Sequence, residues 1–111
     1  MMVDKRDSFV CSRTFKLDGG KILLVGGSIE HPKYPAKDSP VRCDIVLWSW
    51  YIVPSEKDSN VSDVTYMVFV DPKGWIPNAI TNAVANDQAQ NCQRVKDMLE
   101  GKEKKKGWSL F

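Results

Sequence analysis

No uninterrupted apolar run in this sequence approaches the ~20 residues that a membrane-spanning helix requires. The opening residues, Met1-Met2-Val3-Asp4-Lys5-Arg6, carry charge where a secretory signal needs an apolar stretch. Both absences predict a cytoplasmic protein. Cysteine is sparse as well: Cys11, Cys43 and Cys92 are odd in number and far apart. They make no CxxC pair, no zinc spacing and no complete disulfide framework, so reduced thiols are expected. Histidine falls to one, His31, beside Pro32 in a loop. There is no Gly-x-Ser-x-Gly elbow, His-x-x-x-His pair, P-loop or GxGxxG. With no nucleophile beside a base, the sequence predicts a non-enzyme with no catalytic residue, no metal and no cofactor, and it makes His31 a surface residue.

Net charge is small, +2 in all. Lys102, Lys104, Lys105 and Lys106 outweigh Glu100 and Glu103 by that amount, so the rest of the chain is balanced. A neutral body offers no broad field to a nucleic-acid backbone, and nucleic-acid binding is not expected.

What is present is strand patterning followed by one change of period. From Ser8 to Lys16 the odd positions Phe9, Cys11 and Phe15 are apolar, the mark of a half-buried strand. Leu17-Asp18-Gly19-Gly20 is a hairpin turn, and Lys21–Ile29 is the return strand. Glu30–Pro40 holds three prolines and no periodicity, a loop long enough to suspect of function. Val41–Val53 is a long strand, and after a polar turn Val61–Val70 alternates again. Its Val64, Tyr66, Val68 and Val70 share one face, and Thr65, Met67 and Phe69 the other. Beyond Pro77 the apolar residues Ile80, Val84, Cys92, Val95 and Leu99 recur at helical spacing. They predict one long helix over residues 77–99, with Gly101 as its stop. Antiparallel strands followed by a helix make an α+β domain.

Two features stand out. Arg13 shares a face with Phe9, Cys11 and Phe15, so its guanidinium needs a partner, a polar ligand head group included, or must snorkel to a sheet edge. Trp48, Trp50, Tyr51 and Tyr66 cluster on the central strands, where they pack a core or line a ligand cavity.

Several stretches together resemble a known family. They are Arg6-Asp7-Ser8-Phe9-Val10, Gly19-Gly20, Ser28-Ile29-Glu30-His31-Pro32, Val41-Arg42 and Val64-Thr65-Tyr66. Above all there is Asp71-Pro72-Lys73-Gly74-Trp75-Ile76-Pro77. In one register from Lys5 to Leu99 they resemble the C-terminal half of the START (StAR-related lipid-transfer) domain. The START portion is placed at residues 1–101, with its strands, proline-rich loop and C-terminal helix, and residues 102–111 form a basic tail.

The resemblance implies a helix-grip fold, a curved antiparallel sheet around a long C-terminal α-helix. It implies binding of a single lipid in a hydrophobic cavity, and its transfer or sensing between membranes without chemistry on the lipid. Sterol, phospholipid, ceramide and fatty acid all suit such a cavity. Six residues fall on ligand positions of the family: Arg13, Leu24, Trp48, Tyr66, Ile80 and Val84. The alternative is a START-derived interaction or regulatory module that has lost lipid binding. Half a sheet leaves an open strand edge, which predicts self-association. The tail predicts peripheral membrane contact through Lys102, Lys104, Lys105, Lys106 and Trp108, set against a tail whose aromatic end packs back on the domain.

Overall fold

The computed structural model describes residues 3–102. Its first unit, which ends at Gly74, holds six strands: β1 (Arg6–Asp7), β2 (Val10–Lys16), β3 (Ile22–Ser28), β4 (Val41–Arg42), β5 (Asp44–Pro54) and β6 (Ser62–Asp71). Four of them form an antiparallel sheet in the order β2-β3-β5-β6. The β2–β3 hairpin closes where expected, with Leu17 N donating to Lys21 O at 2.8 Å around a single 3-10 turn over Asp18–Gly20. Gly19 and Gly20 there adopt φ of 76° and 75°, a region that costs glycine nothing.

The expected strand over Val41–Val53 is two strands. β4 pairs in parallel with β1, and only the residues from Asp44 onward join the main sheet. The division has a hydrogen-bond cause. Val41 N donates to Lys5 O and Cys43 N to Asp7 O, while Ile45 N is taken by the Ser28 hydroxyl at 2.7 Å. Past that point Val46 is a bulge against β6, and it shifts the inward parity of β5. Cys43 and Ile45 are the buried apolar side chains among the described residues.

The second unit begins at Trp75 and corrects the single long helix. It contains α1 (Asn78–Gln88) and α2 (Asn91–Leu99), broken at Ala89-Gln90. No proline or glycine causes the break. Gln90 N bonds the Asp87 carbonyl three residues back, and Arg94 Nη1 donates to the same carbonyl at 2.9 Å. The acceptor that Asn91 N would use in an unbroken helix is therefore already engaged. Arg94 also pairs with the Asp87 carboxylate and reaches Asn91 Oδ1, which fixes the tightened turn. Gly101, at φ 74°, stands where the stop was expected.

Candidate functional site

Register decides which residues can share a ligand. Across the sheet, Arg13 lies opposite Val25, Val25 opposite Ser49, and Ser49 opposite Met67. Leu24 lies opposite Trp50, and Trp50 opposite Tyr66, with Trp48 two residues along on the same side. Because side chains alternate along a strand, these rows occupy opposite faces of the sheet. The structure brings Leu24, Trp48 and Tyr66 together and puts Arg13 on the other side. Ile80 and Val84 stand one turn apart on α1.

The face with Leu24, Trp48 and Tyr66 is a half-buried aromatic layer. Trp50 and Tyr66 stack at 4.4 Å between ring centroids, a directly opposed cross-strand pair. The Arg13 face differs. Phe15, Met67 and Phe69 are 37%, 52% and 62% exposed, while Ser49 between them is buried. Arg13 stands on β2, an edge strand that is exposed along its whole length. Its guanidinium carbon sits 4.9 Å over the Phe15 ring, a cation–π contact. Among the described residues no carboxylate lies within ion-pair distance of it. Sequence reasoning did not nominate Ser49, Met67 or Phe69, although the alternation of β6 already paired Met67 with Phe69.

A second feature lies at the far end of β3. Here a recess of about 640 Å³ is lined by residues of the proline-rich loop together with Ser28, Arg42 and Cys43. Phe9 stacks on Tyr34 at 4.9 Å, and His31 completes the cluster at 5.5 Å from both rings. The His31 Nδ1 accepts the Lys33 amide at 3.1 Å, so this ring is a half-buried structural element of the loop. Arg42 ties the loop down. It donates to Asp7 Oδ1 at 2.7 Å and to the carbonyl oxygens of Tyr34 and Pro35. Burial pushes the Cys43 thiol above its ordinary pKa, which disfavours the thiolate.

The hydrogen bond from Arg42 holds the Asp7 carboxyl below the usual carboxylate range. A group whose folded pKa lies below its unfolded value contributes stability above the unfolded value of about 3.9. That contribution disappears as pH falls through the folded value. Asp7→Asn should therefore lose less stability on acidification below about pH 4 than the wild type, by urea midpoints taken from pH 7 down to pH 2. Equal acid dependence in both proteins would refute the assignment.

The Asp71–Gly74 turn is a backbone device. Asp71 Oδ1 accepts the Lys73 amide at 3.0 Å, and its carboxylate pairs with Lys73 Nζ. Both contacts hold the Asp71 carboxyl low, the backbone hydrogen bond most. Lys73 and Gly74 both take positive φ, 53° and 63°. Arg6 spans the turn from β1, donating to Pro72 O at 3.2 Å and Lys73 O at 2.6 Å. The most distinctive stretch of the sequence thus ends the sheet and redirects the chain.

Comparison with known proteins agrees with this architecture. The START domain family model matches residues 1–106, and the chain belongs to that family. It is 36% identical over 83 residues to the mitochondrial steroidogenic acute regulatory protein of Salvelinus fontinalis, spanning 75% of this chain and 29% of that protein. The Danio rerio counterpart is 35% identical over 99 residues, 88% of this chain and 34% of that one. START domain-containing protein 10 of Homo sapiens is 28% identical over 78 residues, 70% of this chain and 26% of that protein. The crystal structure of human STARD10 superposes with a TM-score of 0.66 at 25% identity, covering 88% of this chain and 38% of that one. The fold class is therefore α+β of the helix-grip type. The chain spans about a third or less of the length of the curated relatives it matches. No helix among the described residues is long and apolar enough to cross a membrane.

Proposed function

We propose that this chain binds a single lipid against the Arg13 face of its sheet and carries or senses it between membranes, with no chemistry on the lipid. One observation carries the reading. Arg13, with no carboxylate within ion-pair distance among the described residues, shares a sheet face with the exposed Phe15, Met67 and Phe69. An apolar surface with few polar groups suits an amphipathic ligand, whose chain it covers and whose head it orients. Sterol, phospholipid, ceramide and fatty acid are the ligand classes. Membership of the START family supports lipid over other amphiphiles. Of the six residues assigned by resemblance, Arg13 holds the head group, while Ile80 and Val84 belong to α1 of the second unit. Leu24, Trp48 and Tyr66 serve as the packed layer behind the binding face. The setting is the cytoplasm, with peripheral membrane contact.

Native mass spectrometry of the purified chain, followed by lipid extraction, tests this. One lipid per chain is expected. A chain that stays empty after incubation with mixed liposomes would favour the interaction-module reading. If Trp48→Phe lost lipid while Arg13→Leu kept it, the two faces would exchange roles.

Membrane contact is assigned to the basic tail. Lys102 pairs with Glu100 at 3.1 Å, while Lys104, Lys105, Lys106 and Trp108 lie outside the described residues. Basic side chains near an anionic leaflet contribute about 1 kcal/mol each before screening. Changing the four lysines to glutamine should reduce co-sedimentation with anionic vesicles, as should added salt on the wild type. Equal sedimentation at low salt would remove the tail from the proposal.

A further inference from the structure

Residues 78–99 carry determinants of two different helical arrangements. Ile80, Val84, Cys92, Val95 and Leu99 fall within roughly 120° of arc at about 100° per residue, one unbroken stripe along a straight helix. Ala89 and Gln90, where helical pairing is interrupted, are both good helix formers. Neither the apolar pattern nor propensity stops the helix there. A polar cluster does. Asn91 Nδ2 donates to Gln88 Oε1 at 2.9 Å, and Arg94 Nη1 donates to Asn91 Oδ1 at 2.9 Å. The remaining contacts converge on Asp87. Its carboxylate accepts from Arg94 Nη1 and Nη2. Its carbonyl oxygen accepts the Gln90 amide at 3.1 Å and Arg94 Nη1 at 2.9 Å.

That carbonyl decides between the two arrangements. In a continuous helix it accepts the Asn91 amide, four residues on. In the broken form the Gln90 amide and Arg94 hold it instead. Breaking the helix leaves the first amides of α2 without intrahelical acceptors. The clamp returns charge-assisted hydrogen bonds, made by side chains that are partly exposed. These two effects are of similar size and opposite sign, and salt screens only the second.

We propose that Arg94 is a latch. Closed on Asp87, it holds α1 and α2 as two helices; released, it lets residues 78–99 run as one. Release joins Ile80 and Val84 to Cys92, Val95 and Leu99 in a single apolar face. Closure re-aims α2 through Gln90, at φ −83° and ψ −2°. The latch uses contacts within residues 87–94 alone, so it works whether or not a lipid is bound.

Amide hydrogen exchange by NMR on the 111-residue chain tests this, with the Asn91 amide as reporter and far-UV circular dichroism beside it. At low salt the wild-type Asn91 amide should exchange as an unprotected helix end. Arg94→Met, a change between residues of similar helix propensity, should protect it about tenfold and raise the helix content. High salt should move the wild type in the same direction and leave Arg94→Met unchanged. Arg94→Lys should fall between, keeping the charge but losing the fork that reaches carboxylate and carbonyl together. An Asn91 amide already protected in the wild type at low salt would overturn the proposal. So would an unprotected one in Arg94→Met, which would assign the break to the backbone alone. Loss of helix beyond Asn91 in Arg94→Met would make Arg94 a brace for α2 instead, and an equal salt response in both proteins would remove the charge from the mechanism.

Discussion

Gly26→Ala is expected to destabilise the sheet by about 2–3 kcal/mol, close to the upper range for overpacking. A Cβ at this position would meet the Cys11 carbonyl oxygen at 2.7 Å, the Ser12 Cβ at 2.9 Å and the Ser12 Cα at 3.2 Å. Two of those atoms are backbone and the third is attached to it, so no flexible side chain can swing away. Relief would require separating β2 from β3 at the middle of their pairing, where Ser12 faces Gly26. Gly27→Ala should cost less, because its Cβ would meet the Ile45 and Val46 carbonyl oxygens at 3.1 and 3.3 Å. Those distances ask for shifts of tenths of an ångström at a bulge that can give. Gly19 provides the contrast: its surroundings are open, and only its φ of 76° opposes a side chain. About 1 kcal/mol is expected there. Urea unfolding followed by tryptophan fluorescence ranks the three. A Gly26→Ala protein within about 0.5 kcal/mol of wild type, the range of a neutral surface change, would show that the strands are not held this closely.

The strands and hairpins were legible in the sequence because period-two alternation and paired glycines are local signals. The parity of Arg13 was legible too. Closing the hairpin between Leu17 and Lys21 pairs Arg13 with Val25 and Thr14 with Leu24, so Arg13 and Leu24 cannot share a face. Resemblance supplied those two positions together, and the arithmetic of the turn separates them. The faces of Trp48 and Tyr66 were harder to assign. That of Tyr66 depends on the seven-residue loop between Pro54 and Ser62, and that of Trp48 on the connection over residues 29–43, and neither closure fixes a register from sequence.

Other features were illegible because they depend on partners remote in sequence. Cys43 leaves the sheet because its own amide bonds the Asp7 carbonyl and the Ile45 amide bonds the Ser28 hydroxyl. The helix breaks at Ala89-Gln90 because Arg94 reaches back to Asp87, a contact seven residues long that apolar periodicity does not record. The loop was suspected from its length, its prolines and its lack of periodicity. Its anchoring through Arg42 and its ring cluster with Phe9 appear only once β1 and β4 are paired.

The exposure of Arg13 changes what its removal should do. For a buried arginine, deletion would confound folding with binding, whereas here the recorded contact is a cation–π interaction with Phe15. At an exposed site that is worth about 0.5–1 kcal/mol, so Arg13→Leu should unfold within about 1 kcal/mol of wild type. The effect on ligand should be far larger. A hydrogen bond from a charged donor to a lipid head contributes about 1.5–3 kcal/mol, which corresponds to roughly ten- to a hundredfold weaker binding of a phospholipid or fatty acid. A wholly apolar probe such as a hydrocarbon should bind the variant as well as the wild type, because leucine preserves the apolar surface. Arg13→Lys should fall between, keeping the charge but losing the planar fork of donors. Titration of fluorescent lipids against the three proteins, beside their urea midpoints, separates the two roles. If Arg13→Leu lowered the midpoint strongly and its folded fraction still bound a phospholipid normally, the arginine would be a structural residue of β2. The head group would then have to be held from the opposite face, among Leu24, Trp48 and Tyr66.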